Sequence, residues 1–242
     1  MPNEILTRAI DAVASGNHLT ADHTAAVLSE IMEGRASEVQ TGAFLIALRT
    51  KGETVPELVG LARTMRELAT PVITERLNLV DTAGTGGGPS TFNVSTTAAL
   101  VAAGAGCAMA KHGNRSSTSK SGSADLLEAL GVNIELDAAG VGASIDEVGF
   151  GFMFAPRHHL ATSHVMPVRK ELAVRTVFNF LGPLTNPGQP TYAAVGVADA
   201  RMAPILAGVF AGRGRDAAVL RGDDGLDAVS YTHLTLPTTY PV

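Results

Sequence analysis

Four glycines in five residues, Gly84, Gly86, Gly87 and Gly88, follow an apolar β-like run and precede a long apolar stretch of helical texture. Glycine lets the backbone take positive φ and lets a bulky ligand approach the main-chain N–H groups. A helix N-terminus just downstream adds a positive dipole end, which suits phosphate. The same turn can also serve close packing alone, so both roles stand open at this point. The spacing is not GxGxxG and no GK[ST] follows, which excludes the dinucleotide fingerprint and the P-loop.

Around this turn the chain changes texture once, near Pro71. Before it, apolar residues recur at helical spacing behind capping residues. Asn3 caps Ile5, Leu6, Ala9, Ile10 and Val13, and Gly16 stops the run; Thr20 caps Val27, Leu28, Ile31 and Met32. Ser37 with Gln40, and Thr54 with Glu57, read as capping boxes. After Pro71, β-like runs at 77–80, 107–110, 132–136, 150–154, 192–197 and 217–220 alternate with helical ones. Such alternation predicts a mostly parallel sheet with helices on its faces. The expected fold class is α/β: a small N-terminal helical domain at 1–70 and a larger, incomplete α/β domain at 71–229, with 230–242 set apart.

Composition narrows the function classes. Of 242 residues, 45% are hydrophobic and 17% charged, an ordinary composition for a buried core. A net charge of −5 argues against binding nucleic acid by broad phosphate neutralisation. The single cysteine, Cys107, excludes an intramolecular disulfide framework and a Cys-rich zinc site, and its apolar surroundings predict a small core residue. The longest apolar stretch, 98–110, is too short to span a bilayer, and residues 1–4 carry no basic export region. No membrane association and a cytoplasmic location are expected. His18 and His23 lack a second ligand at metal spacing and read as surface residues.

Polar groups concentrate around the glycine turn. Asn93, Val94, Ser95, Thr96 and Thr97 open the following helix, as caps or as further phosphate ligands. Lys111, His112, Gly113, Asn114, Arg115, Ser116, Ser117, Thr118 and Ser119 should sit at the C-terminal end of a strand, where open α/β sheets bind ligands. From 82 to 124 there is no Asp or Glu, yet Lys111, Arg115 and Lys120 are there. A positive focus in an acidic chain suits a small polyanion. Further on, Arg169 can hold a carboxylate through two parallel hydrogen bonds. The adjacent pair His158 and His159 is only a weak metal signal, since neighbouring side chains diverge on a helix. Asp223, Asp224 and Asp227 follow a strand, as solvated turn acids or as Mg²⁺ ligands.

The strings GTGGG, NVST, KHGNRSSTS, SGSADLLEALG and RTVFNFLGPLTNP occur in this order, and with them the chain resembles the anthranilate phosphoribosyltransferases. The resemblance implies a helical domain joined to an α/β domain, with the active site between them and a homodimeric assembly. It implies that phosphoribosyl pyrophosphate (PRPP) is held by Gly84, Gly87, Gly88, Thr91, Asn93, Val94, Ser95 and Thr96. Lys111 to Ser119 and Ser123 complete that site, Lys111 stabilising the leaving group. Gly84, Asn114 and Arg169 would receive anthranilate, and His112 and His159 would line its path. Ser95 and Asp227 would hold Mg²⁺. No single acid or base is expected to dominate; binding and charge stabilisation carry the reaction. A pyrimidine nucleoside phosphorylase-like enzyme, or a non-catalytic binding protein of the same fold, is the alternative.

Two positions depart from the family pattern. Gly88 stands where the glycine turn commonly has Asp, and Ala228 where a second carboxylate usually follows Asp227, which should weaken Mg²⁺ binding. Residues 230–242 match nothing expected of the family and contain no Asp, Glu, Lys or Arg. They read as a non-native tail on a C-terminally shortened chain, which by itself should be poorly soluble or inactive.

Overall fold

The computed structural model describes residues 2–89, 91–116 and 120–228. Ser117, Thr118, Ser119 and the tail at 230–242 lie outside the described residues.

Four helices come first: α1 (Glu4–Ala14), α2 (Ala21–Met32), α3 (Glu38–Lys51) and α4 (Val55–Glu67). Their starts follow the capping chemistry. Asn3 Oδ1 accepts from the N–H groups of Ile5 and Leu6, Thr20 from His23, and Ser37 from Gln40. Gln40 does not return to its own cap, as a full box requires. Its side chain crosses to α1 instead, donating to Asn3 O and accepting from Asn3 N–H, both at 3.0 Å. Thr54 does form the box, its N–H and Oγ1 both donating to Glu57. The apolar faces of these helices pack against Val165, Val168, Val177, Phe178, Leu181, Leu206 and Val209 from much later in the chain. The helical part therefore shares one core with the segment that carries Arg169 and Arg175.

The remainder runs β1 (Val80–Gly84), α5 (Val94–Gly104), β2 (Met109–Gly113), α6 (Ser123–Ala129), α7 (Ala138–Val148) and β3 (Phe150–Phe154). It continues through α8 (Ala155–His158), a 3₁₀ turn (Leu160–His164), α9 (Met166–Leu172), α10 (Phe178–Leu181) and a second 3₁₀ turn (Gly182–Leu184). It ends in β4 (Tyr192–Gly196), α11 (Met202–Gly212) and β5 (Asp216–Leu220). The strands form one parallel sheet in the order β3-β2-β1-β4-β5. Strand β1 is central, and the chain winds away from it in both directions. Its C-terminal end is thus the switch point where open α/β sheets bind ligands. Gly84 lies level with Gly196 across the β1–β4 pair, and Gly113 level with Phe154 across β2–β3.

Three expectations are corrected. No strand forms at 132–136; the segment turns, with Asn133 Oδ1 accepting from Glu135 N–H, while Ile134 is buried. β1 and β2 begin at or after the residues where those strands were expected to end or centre, because pairing with neighbours carries the extended backbone into Thr82–Gly84 and Lys111–Gly113. Cys107 is exposed rather than in the core: it follows Gly106 (φ 96°) in the turn between α5 and β2, before the strand enters the interior. Among the described residues no helix is long and apolar enough to cross a membrane.

Glu57 ties the helical part together. It is fully buried and accepts from Leu19 N–H, Thr54 N–H and Lys51 Nζ, each at 2.9 Å. Removing it leaves two amides without these partners and the buried Lys51 ammonium without its counter-charge, held only by Gly52 O and His18 Nδ1. Glu57→Ala is expected to cost about 3–5 kcal/mol, read from the shift of the urea unfolding midpoint; an unchanged midpoint would show that the pair contributes nothing net.

Candidate active site at the switch point of the sheet

The glycine turn leaves β1 at Gly84 and wraps above the sheet edge, with φ of 65° at Gly86 and 84° at Gly87. Two neighbours press against it. A β-carbon at Gly84 would overlap the Asp227 carboxylate, and one at Gly196 would overlap the Asp227 backbone. A β-carbon at Gly87 would overlap the Arg175 guanidinium. Gly86 N–H donates to Asp227 Oδ2 at 2.7 Å. The turn therefore holds an anion already: a carboxylate from the loop after β5 rests on its main-chain amide. The sequence singled out Asp227 and the glycines. It did not assign Arg175, whose Nη2 donates to Thr85 O at 3.0 Å from 90 residues away.

The helix-start residues divide their roles. Asn93 does not cap α5; its amide donates to Ser121 Oγ at 3.0 Å. Thr96, fully buried, donates to Ser123 Oγ at 2.9 Å and so joins the start of α5 to the start of α6. Val94 and Ser95 form the first turn of α5, while Thr91 and Gly88 lie in the loop before it, Thr91 exposed. The loops after β1 and β2 are thereby fastened side by side.

The basic residues are placed less openly than the charge count implied. Lys111 is 1% exposed; Nζ donates to Thr82 O at 2.6 Å and to Ser95 Oγ at 3.4 Å. Burial lowers its pKa, and the neighbouring Asp81 opposes that shift. Arg115 turns to the surface and pairs with Asp125 and Glu128, both at 2.8 Å. These acids lie just past the acid-free stretch, so Arg115 does not add an open positive charge to the site, as was expected of it. Its contact with Glu128 is the largest influence holding the Arg115 pKa above its ordinary value. Asn114 is exposed, with Oδ1 accepting from Arg115 N–H, and Gly113 lies against Phe152 and Ser123. The Ser116 N–H donates to Asp125.

Behind the cradle, His112 and His159 face each other with ring centroids 5.1 Å apart. His112 Nδ1 lies 3.2 Å from Gly182 O, and its Nε2 has no partner among the described residues. Burial, reinforced by the facing ring, lowers the His112 pKa to about 3; burial and His158 lower that of His159 to about 4. Both imidazoles are neutral at pH 7. Arg169 stacks over Phe178, 5.2 Å from the ring centroid, and has no carboxylate partner among the described residues. Burial depresses its pKa. A half-buried guanidinium without an anion has its donors free for a carboxylate, apart from the contact of Nη1 with Met166 Sδ at 3.7 Å.

Ser95 and Asp227 meet different partners here, Lys111 and Gly86 respectively. Among the described residues no three His, Cys, Asp or Glu side chains converge as a metal cage. The donors present are hard oxygens with a single carboxylate beside an anion cradle. That set fits Mg²⁺, which keeps waters and is commonly completed by substrate phosphate. A groove of about 370 Å³ between α2 and α4, lined by Ala25, Ser29, Arg63 and Glu67 among others, lies away from all these residues and brings no catalytic pair together.

The parallel sheet, with an anion cradle at its switch point, shares its core with the helical lobe. Two family descriptions match in sequence: the helical bundle domain of a glycosyl transferase family over residues 7–69, and the a/b domain of that family over 76–238. The chain belongs to this glycosyl transferase family, and within it to the anthranilate phosphoribosyltransferases. A relative of that name from Nocardioides sp. is 52% identical over 92% of this chain and 65% of its own length. The Thermus thermophilus anthranilate phosphoribosyltransferase superimposes with a TM-score of 0.86 at 44% identity, over 91% of this chain and 67% of that one. The Saccharomyces cerevisiae enzyme, in complex with PRPP and Mg, superimposes with a TM-score of 0.85 at 30% identity, over 94% and 68%. The chain thus spans about two thirds of the length of these relatives.

The histidine pair gives this site a pH signature. Both folded pKa values lie below the unfolded value of about 6.5. Below that pH the unfolded chain binds protons that the folded one refuses, so stability falls on acidification toward pH 4. His112→Gln should flatten the plot of unfolding free energy against pH by roughly 1.3 kcal/mol per unit near pH 5, measured by urea titrations. An unaltered slope would mean that His112 is charged in the fold.

Proposed function

We propose that this chain carries the catalytic site of an enzyme that transfers the phosphoribosyl group of PRPP to the amine of anthranilate, releasing pyrophosphate, in tryptophan biosynthesis. The observation that carries this reading is the anion held by the glycine turn, at the switch point of a sheet whose relatives include a PRPP complex. Main-chain N–H groups of Gly86 to Gly88 and the first turn of α5 would bind the diphosphate. Lys111 would reinforce them from beneath, through Ser95 Oγ and the carbonyl of Thr82. Arg169, with Asn114, would take the carboxylate of anthranilate and turn its amine toward the ribose.

The chemistry suits this inventory. An arylamine is neutral at pH 7 and needs no strong base to expose its lone pair. Neutral His112 and His159 would line its path without attracting a second carboxylate. The difficulty is departure of a highly charged group, for which preorganised donors and close placement of the two substrates are the effective means. Mg²⁺ bound through Ser95 and Asp227 would supply further charge neutralisation at the diphosphate. We further propose a homodimeric, cytoplasmic enzyme, with the helical part at 1–70 and the transferase part at 71–229.

In a fluorescence assay with PRPP and Mg²⁺, turnover of anthranilate by the 242-residue chain would support this reading and overturn the expectation that the shortened chain is inactive. Arg169→Gln should raise the KM for anthranilate roughly 10- to 100-fold, as for loss of a charge-assisted hydrogen bond. It should leave the KM for PRPP within about 2-fold. Equal effects on both substrates would detach Arg169 from the acceptor, and phosphorolysis of thymidine without turnover of anthranilate would sink the reading.

A further inference from the structure

Arg175 lies between α9 and α10 and has no role in the reaction as described so far. Its guanidinium is held on three sides. The carbon Cζ sits over the Phe180 ring, 5.4 Å from the centroid; Nη2 donates to Thr85 O at 3.0 Å; and Nη1 lies against the bare α-carbon side of Gly87. Glycine at 87 is therefore required twice, once for its φ of 84° and once for room for this group. The cation is half-buried, and the carboxylates attracting it are Asp227 and Asp199, with Arg49 opposing. Asp227 is the same residue that rests on Gly86 N–H. One carboxylate thus answers to the turn's amide and to the guanidinium at once.

Two other cations of this region are committed elsewhere: Lys111 is enclosed beneath the turn, and Arg115 is paired with Asp125 and Glu128. A planar fork clamped in place by stacking and one carbonyl loses little freedom on meeting a phosphate. We propose that Arg175 is a diphosphate-binding residue of the glycine turn. Its guanidinium and the turn's N–H groups form one anion cradle, in which the Asp227 carboxylate stands where substrate oxygens go. Entry of a diphosphate displaces Asp227 from Gly86. This inference rests on the preceding reading that the chain binds a sugar diphosphate.

The test is calorimetric titration of the 242-residue chain with PRPP and, separately, with inorganic pyrophosphate, both with Mg²⁺. Arg175→Gln should weaken both ligands about 10- to 100-fold. Arg175→Lys, which keeps the charge but loses the fork, should weaken both by a smaller factor at an unchanged melting temperature. Weakening of PRPP alone would place Arg175 on the ribose phosphate and overturn the assignment. A folded Arg175→Gln that binds both ligands as the wild type does would overturn it too. If Arg175→Gln fails to fold, wild-type affinity in Arg175→Lys is the overturning result. Failure of the wild-type chain to bind either ligand would remove the substrate reading itself, whereas binding that is indifferent to position 175 removes this inference alone.

Discussion

Asp81 sits in the central strand with its carboxylate sequestered, and a charge there must be compensated on every side. Its Oδ1 accepts from His112 N–H at 3.2 Å, and its Oδ2 from Asn186 Nδ2 at 2.8 Å. The same Asn186 amide donates to Ala110 O at 2.7 Å. Burial pushes the Asp81 pKa up and the Lys111 pKa down, and each charge opposes the other's shift. Burial disfavours both charges, and their mutual attraction, with the hydrogen bonds from His112 N–H and Asn186, favours them. This network joins β1 to β2 at a place where the strands share a single registered pair, Val80 with Met109. Lys111 Nζ donates to Thr82 O across this pair, beneath the loops that Thr96 and Ser123 hold together.

From that anchor the cradle follows by exclusion. Gly84 and Gly196 face each other at the ends of β1 and β4, and neither carries a side chain that would fill the crevice. Gly87 leaves room for a guanidinium. Affinity for an anion is thus assembled from absent side chains, main-chain N–H groups and cations fixed before the ligand arrives. Such groups need no reorganisation when charge moves from the sugar to the leaving group.

Much of this was legible in the sequence wherever local chemistry decided it. Asn3, Thr20 and Ser37 cap their helices as their residue types require, and Phe150–Phe154 is a strand because a continuous apolar run can only be buried on both faces. Reading failed where partners distant in sequence decide. Thr82–Gly84 look like a turn until β4 pairs with them, and 132–136 look like a strand although the segment pairs with none and turns at Asn133 instead. Arg115 looked like a site cation because a charge count along the chain stops at 124, whereas its partners are one and four residues further on, on the next helix. Arg175 opens the string RTVFNFLGPLTNP, but nothing local to it indicates a role; only its approach to Gly87 and Thr85 exposes one.

These placements bear on which anions the site can hold. A nucleic-acid backbone is gripped by many exposed cations, each exchanging freely with salt. Here Lys111 is enclosed, Arg175 is stacked and Arg115 is paired with acids, and the surface around them belongs to a chain of net charge −5. At the turn, the recess left by the glycines is lined by main-chain amides and the Arg175 guanidinium and is occupied by the Asp227 carboxylate. A long polyanion gains little there, because only one or two of its phosphates could enter. A compact diphosphate can bring all of its charge into the recess. The enclosure of Lys111 and the pairing of Arg115 therefore serve selectivity: they leave an acidic surface with one place where a dense negative charge is welcome.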